Sequence, residues 1–281
     1  MPELPEVETI RRDLAKTILG KKITEVCVNN PRVIREPSPA AFKRSFEGAA
    51  IKNILRRGKL LILELSNGKA LAIHLRMTGQ LVYPGKVKSS RVAFHFADGR
   101  ALDFNDQRLF GELRLVDDWK KLKFVQALGP EPFDLTSADF KDMLAKKKTK
   151  IKPLLMDQGF IAGIGNLYAS EILFRAKINP LRPGQSLDPK EKETLYRETK
   201  EVLASAIKHG GSSVDDYVRV SGKPGDYVRF HQVYGRQGKP CFICGSPVKK
   251  ITQGGRGTYF CPKCQPSPSA QSSQPRKGRA G

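Results

Sequence analysis

Apolar residues recur at helical spacing over 5–19. Val7, Ile10, Leu14 and Ile18 fall on one face, and Gly20 follows as a stop. From residue 22 to about 116 the period drops to two. LLILEL and ALAIHL flank Ser66-Asn67-Gly68-Lys69, and VAFHF and ALDF flank Asp98-Gly99. Asn-Gly and Asp-Gly tolerate the positive φ of a tight turn, so both stretches predict hairpins. Runs at 22–29, 50–56 and 111–116 supply further strands. The first half therefore reads as one helix followed by a β-sandwich or barrel. Beyond about residue 120 the alternation stops, and the spacing predicts helices near 137–147, 151–157, 166–176 and 189–208. The last opens on Asp188 as N-cap with Pro189 in its first turn, and Gly210 ends it. Residues 211–239 are rich in Gly and polar groups and lack periodicity. Residues 265–281 consist of Ser, Pro, Gln, Ala, Gly, Arg and Lys, the composition of a disordered basic tail. No internal repeat is visible.

Charge narrows the partners. The 281 residues, room for two domains with separate cores, include 50 Lys plus Arg against 28 Asp plus Glu, a net charge of +22. The excess runs through the whole chain and favours a polyanion, nucleic acid first; a ribosomal or thermostable basic protein is the alternative. No apolar run approaches the roughly 20 residues of a membrane span. The start MPELPEVETIRR has acids where a secretion signal needs basic and apolar residues, so the expected location is the cytosol. Four of the five cysteines form two Cys-x-x-Cys pairs, which suits a metal in a reducing compartment better than disulfides. Cys27, inside the alternation ITEVCV, is expected in the core.

Three segments carry chemistry. Cys241, Cys244, Cys261 and Cys264 have the spacing of a tetrahedral zinc site, with a β-hairpin between the pairs whose tip, Gly254-Gly255-Arg256-Gly257, would bring Arg256 to a phosphate backbone. A structural zinc ribbon alone would say nothing about catalysis. Gly163-Ile164-Gly165-Asn166 stands directly before a helix, where free N–H groups suit a phosphate, although such turns are common. Lys152 lies nearby in KKKTKIK, a stretch that would equally serve as a solvated face. The third segment is the N-terminus. A small residue after Met1 permits its removal, leaving the secondary amine of Pro2 at the start of a capped helix. An α-amino group has a pKa of about 7.7–8.0 against about 10.4 for Lys, so much more of it is free base near neutrality. Such an amine attacking an aldehydic carbon gives a cationic iminium, an electron sink.

PELPEVETIRR at 2–12, RRGKLLILEL at 56–65, HLRMTG at 74–79, LGPEP at 128–132, IKPLLMDQ at 151–158, GIGNLYASEILF at 163–174, SGKPGDY at 221–227, QVYGR at 232–236 and the cysteine quartet together resemble bacterial formamidopyrimidine-DNA glycosylases (Fpg). The blocks run from 2 to 264 in the family's order. The resemblance implies an α+β fold. Its parts are a helix plus β-sandwich catalytic domain at 2–120, a hinge at 121–135, a helix–two-turns–helix DNA-binding domain with a lesion loop at 136–230, and a zinc finger at 231–265. A disordered tail at 266–281 follows. It implies a monomer with one structural zinc ion, acting on double-stranded DNA that holds oxidised purines or abasic sites, and no membrane partner. Pro2 would be the nucleophile, Glu3 the acid that opens the sugar ring, Glu6 an assistant, and Lys59 a cation on a strand facing the lesion phosphate. His74, Lys152, Asn166 and Arg256 would contact phosphates, with Arg256 also a proton donor for elimination. Met77, Arg108 and Phe110 would fill the hole left by a flipped nucleotide. Cleavage on both sides of the sugar would leave a one-nucleotide gap.

One run departs from the family. The familiar Asp-Pro-Arg-Arg-Phe-Gly is here Asp106-Gln107-Arg108-Leu109-Phe110-Gly111, which bears on opposite-base preference rather than on excision. Two rivals frame the reading. An endonuclease VIII-like glycosylase would take oxidised pyrimidines, but ELPEVET and SGKPG favour the purine enzyme. A non-catalytic zinc-ribbon DNA-binding protein would account for charge and cysteines, but not for Pro2-Glu3 or Lys59.

Overall fold

The computed structural model describes residues 1–85 and 90–267. The tail is expected from 265, but Gln265 is buried and donates to Ile178 O at 2.8 Å; residues from 268 onward lie outside the described residues. In chain order the elements are α1 (Leu4–Thr17), β1 (Ile23–Val28), β2 (Ile34–Glu36), α2 (Pro39–Arg44), β3 (Ile51–Arg57), β4 (Leu60–Leu65), β5 (Ala70–His74), β6 (Gly79–Val82), β7 (Val92–Phe96), β8 (Ala101–Asp106) and β9 (Glu112–Val116). There follow α3 (Lys123–Gln126), α4 (Ser137–Ala145), α5 (Ile151–Met156), α6 (Asn166–Arg175), α7 (Pro189–Lys208) and the hairpin β10 (Lys249–Gln253) and β11 (Arg256–Phe260). The chain divides into two compact units, residues 1–131 with 203–229, and residues 132–202 with 230 onward. No helix among the described residues is long and apolar enough to cross a membrane.

Unit 1 is a β-sandwich. One sheet has the order β1-β7-β8-β6 and the other β2-β9-β5-β4-β3. Their inner faces, with Val26, Phe94 and Phe104 from the first and Leu61, Leu63, Ile73 and Leu113 from the second, share one core with Val7, Ile10 and Leu14 of α1. Phe46 bridges Phe42 and Phe94, with ring centroids 4.9 Å and 5.3 Å away. The second sheet is also covered on its outer face, where Leu60, Ile62, Ala70 and Ala72 pack under Val125, Trp119 and Leu122. That double cover explains the apolar run Leu60-Leu61-Ile62-Leu63, since a strand buried on both faces has no polar side to alternate with. Tyr217 and Val220 join the main core, and Val220 accepts a bond from Tyr83 N at 2.8 Å. Residues 203–229 thus pack with unit 1, whereas the expected limits grouped them with the helical segment.

Several elements escaped the periodicity. Strands β2 and β6 and helices α2 and α3 hold three to six residues each, too few to show a period. Cys27 is a correction: it is partly exposed rather than buried. A register shift between Ile23 and Glu25 breaks the alternation of β1, so Val26 takes the core position.

Unit 2 packs α4 to α6 and most of α7 with the hairpin. Helix α7 begins as read. Asp188 Oδ1 accepts from Glu191 N at 2.8 Å, and Glu191 returns a carboxylate oxygen to Asp188 N at 2.9 Å. Glu171, buried on α6, accepts bonds at 2.8–3.0 Å from the backbone N–H groups of Gln232, Val233 and Tyr234, so one carboxylate ties the approach to the hairpin onto that helix.

Candidate active site and nucleic-acid interface

The N-terminus is built by a capping box. Glu3 is the N-cap of α1, and its side chain accepts from the backbone of Glu6. Glu6 Oε2 accepts in return from Glu3 N at 2.8 Å, while its Oε1 accepts from Ser212 N at 2.8 Å. Pro2, Glu3 and Glu6 are all buried, and Met1 is 38% exposed ahead of them. The loop behind Glu6 tolerates only glycine at 211. Its φ is +79°, and a Cβ there would lie 2.9 Å from Glu6 Oε1. Glu6 therefore fixes the helix start to a loop some 200 residues away in sequence, which no local pattern could announce.

Lys59 sits in the two-residue turn between β3 and β4, not on a strand as expected. Its neighbours hold that turn. Glu131 accepts from Gly58 N at 2.6 Å, Arg56 at 2.7 Å and Arg57 at 3.1 Å. Arg56 also reaches Glu8 at 3.2 Å, beside Arg11 and Arg12 on the same carboxylate. Burial alone would raise the Glu8 pKa. The hydrogen bonds from Arg11 and Arg12 and the charges of Arg11 and Arg56 outweigh it and hold the group at about 2. The sequence reading named neither Glu8 nor Glu131. Only LGPEP, quoted as a block, hinted at the second.

His74 ends β5, and its Nδ1 accepts from Arg76 N at 3.1 Å. Burial first, then the positive charge of Arg76, pull its pKa down to about 4. The ring is therefore neutral at pH 7, with its proton left on Nε2. Met77 follows in a loop and is 39% exposed; Phe110 is 48% exposed. The Arg108 guanidinium lies over the Phe110 ring, 4.7 Å from its centroid. A large exposed ring with a guanidinium over its face suits stacking against bases.

In unit 2, Lys152 is 1% exposed, which excludes the solvated-face reading. Its Nζ donates to Asn166 Oδ1 at 2.5 Å, Thr258 Oγ1 at 2.9 Å and Gly257 O at 3.5 Å. One ammonium thus joins α5, the first residue of α6 and the strand that begins with Arg256. Arg256 is exposed just beyond the Gly254-Gly255 turn. Thr258, fully buried, carried no sequence signal.

The four cysteine sulfurs of the hairpin lie within 4.8 Å of one another, with Cys241 to Cys264 at 3.8 Å and Cys244 to Cys261 at 3.4 Å. A tetrahedral zinc ion with Zn–S of about 2.3 Å needs sulfurs about 3.8 Å apart, so the donor set and spacing fit. Beneath them lies a small core of Phe174, Val233 and Val248, with Tyr259 packed against it.

Three family models match successive parts of the chain up to residue 266. Residues 1–113 match the formamidopyrimidine-DNA glycosylase N-terminal domain, 128–218 the formamidopyrimidine-DNA glycosylase H2TH domain, and 238–266 the zinc finger found in FPG and IleRS. The formamidopyrimidine-DNA glycosylase of Pelotomaculum thermopropionicum is 45% identical over 273 residues, covering 94% of this chain and 99% of its own length. The Bacillus cereus protein of the same name is 40% identical over 275 residues, covering 95% and 99%. Among solved structures, a Lactococcus lactis FPG mutant bound to Fapy-dG containing DNA superposes with a TM-score of 0.87 at 37% identity, covering 95% of this chain and 100% of that one. MutM (FPG) from Thermus thermophilus gives a TM-score of 0.85 at 41% identity, covering 94% and 98%. With sandwich, helical segment and cysteine hairpin all matched in order, the chain belongs to the formamidopyrimidine-DNA glycosylase family.

Proposed function

We propose that this protein is a bifunctional glycosylase and abasic-site lyase that removes oxidised purines, 8-oxoguanine and formamidopyrimidines, from duplex DNA, with the Pro2 amine as nucleophile. The buried, doubly tied start of α1 carries the reading: Glu6 holds Glu3 N and Ser212 N at once, so the residue before Glu3 has a set position. The Lactococcus lactis relative was solved with Fapy-dG containing DNA and also with DNA containing an abasic site, which supports both substrate classes.

In this scheme the flipped sugar presents C1′ to the free amine. A C1′–N bond forms as the bond to the base breaks, and the base departs with a proton. Glu3 protonates the ring oxygen, the sugar opens, and an iminium results. Loss of the acidic sugar protons then expels first one phosphate and then the other, leaving a one-nucleotide gap. Lys59 steadies the phosphate beside the lesion. His74, as a neutral donor, and Asn166 and Arg256, placed by the buried Lys152, hold neighbouring phosphates, and Arg256 is available as a proton donor in elimination. Met77, Arg108 and Phe110 occupy the vacated stack. Zinc held by the four cysteines keeps the hairpin folded and takes no part in bond making. The division of labour gives catalysis to the sandwich at 2–120, a hinge at 121–135, DNA binding to 136–230, of which 203–229 pack with the sandwich, and a zinc finger at 231–265. The working state is a cytoplasmic monomer on chromosomal DNA.

The reading requires removal of Met1. While Met1 is present, the Pro2 nitrogen is a tertiary amide whose lone pair is delocalised into the peptide bond, and it cannot attack. Borohydride trapping on a duplex with 8-oxoguanine, followed by proteolysis and mass spectrometry, tests this. DNA joined to the N-terminal peptide through Pro2 is expected. Attachment through Lys59, or full activity of a form that retains Met1, would overturn it.

A further inference from the structure

Two neighbouring loops of unit 1 carry the exposed residues Met77, Arg108 and Phe110. The first spans 75–78 and the second 107–111, after β8. Asp106 stands between them with no exposed surface. Its Oδ2 accepts from Gly111 N at 2.6 Å, and its Oδ1 from Arg108 N at 3.2 Å and from the Thr78 hydroxyl. That hydroxyl in turn accepts from Arg108 N at 3.1 Å. The Asp106 carbonyl accepts from Arg91 Nε at 2.9 Å, so the residue is itself braced by the segment that leads into β7. Every hydrogen bond to the side chain comes from one of the two loops, and Thr78 belongs to one while bonding the other.

The rest of the second loop is shaped to match. Leu109 adopts φ +57° and packs its side chain on the main core, between the two exposed residues Arg108 and Phe110. Gly111 lies so close to the clamp that a Cβ would be 2.7 Å from Phe104 Cζ and 2.9 Å from Asp106 Oδ2. The familiar family run has an arginine where this chain has Leu109. Here Leu109 anchors the middle of the loop on the core, while Asp106 holds Arg108 N and Gly111 N on either side of it.

We infer that Asp106 and Thr78 are positioning residues that lock the Met77 loop and the Arg108–Phe110 loop into one preformed wedge. The inference rests on the proposed role of those three residues in the vacated stack. The physical reason is preorganisation. Two independent loop tips would each have to be ordered when the nucleotide flips, whereas a shared buried carboxylate orders both beforehand. A buried acceptor left without donors is costly, so the loops are held together rather than merely adjacent.

The test compares two rates on the full-length protein: single-turnover excision of 8-oxoguanine from duplex, and borohydride trapping on a pre-formed abasic site, where much of the stacking is already lost. Phe110→Ala serves as the reference and should lower the ratio of excision to trapping. Thr78→Val removes the hydroxyl at nearly constant volume. It should lower the same ratio by about ten-fold, within the loss expected from misplacing a group by about 1 Å. Thr78→Ser keeps the hydroxyl and should restore the ratio. In the Phe110→Ala background Thr78→Val should lower the ratio by less than it does in the wild type, because one of the three groups it positions is gone. Asp106→Asn, if it folds, should behave as Thr78→Val does. A ratio unchanged by Thr78→Val while Phe110→Ala lowers it would sink the clamp and leave the wedge reading standing. No effect of Phe110→Ala on the ratio would remove the wedge reading and the clamp with it.

Discussion

Single side chains in this protein are set by what surrounds them more than by what they are. His74 is the clearest case. Its pKa stands at about 4 in the folded protein against 6.5 for the free ring. The unfolded chain therefore takes up a proton first as pH falls. His74 has no effect on stability above about pH 6.5, and stability drops between there and pH 4 by up to about 3 kcal/mol. His74→Gln should flatten part of that acid limb in urea denaturation measured from pH 4 to 8. Only part is removed, because burial also holds His231 at about 4. An unchanged limb would mean that the ring is not desolvated as the structure has it. Leu109 offers a second case. A left-handed backbone costs a leucine about 1–2 kcal/mol relative to glycine. Packing of its half-buried side chain returns about as much. Leu109→Gly should therefore shift the unfolding free energy by less than about 1 kcal/mol. A loss well beyond that would show the apolar anchor to be the larger effect.

At the scale of elements, the hairpin β10–β11 shows how little a small unit owns by itself. Around its four sulfurs the small core consists of Phe174, Val233 and Val248, with Tyr259 packed against them. Such a core is too small to hold two strands without the metal. Cys244→Ser should lower zinc content and weaken DNA binding sharply while the cooperative melt of unit 1 persists. The hairpin also supplies Thr258 and Gly257 to Lys152, so its loss should free that ammonium from two of its acceptors. Measured zinc stoichiometry together with affinity on an abasic-site duplex checks this. Unchanged affinity in a zinc-free preparation would contradict it. Helix α1 shows the opposite arrangement, being secured at both carboxylates of its first turn before any packing is counted.

For the whole molecule the governing quantity is the net charge of +22. Binding to duplex DNA should weaken steeply with salt, since each neutralised phosphate releases counterions. Arg256→Ala, at an exposed hairpin tip, should reduce the log–log slope by about one. Lys152 is different. Its ammonium is buried among acceptors, so Lys152→Met should cost affinity mainly by displacing Asn166 and the strand after Arg256. Equal slopes for wild type and Arg256→Ala across 50–300 mM salt (about that range) would show that the tip does not neutralise a phosphate.

The sequence by itself determined whatever depends on local pattern. Helix α1, the hairpins at Asn67-Gly68 and Asp98-Gly99, helix α7 with its Asp188 cap, and the cysteine quartet were all legible, because turn chemistry, periodicity and ligand spacing act over a few residues. The motif blocks likewise carried the family. Tertiary structure alone decided the rest. Short strands and helices such as β2 and α2 form only because neighbours supply their partners. Residues 203–229 join the first unit because Glu6 and Asp13 on α1 bond Ser212 and Arg219. Lys59 fell in a turn, Cys27 left the core through a bulge, and Lys152 became buried. Glu131, Thr258 and the Asp106–Thr78 clamp stayed invisible for one reason: a hydrogen bond between groups far apart in sequence leaves no period and no spacing to read.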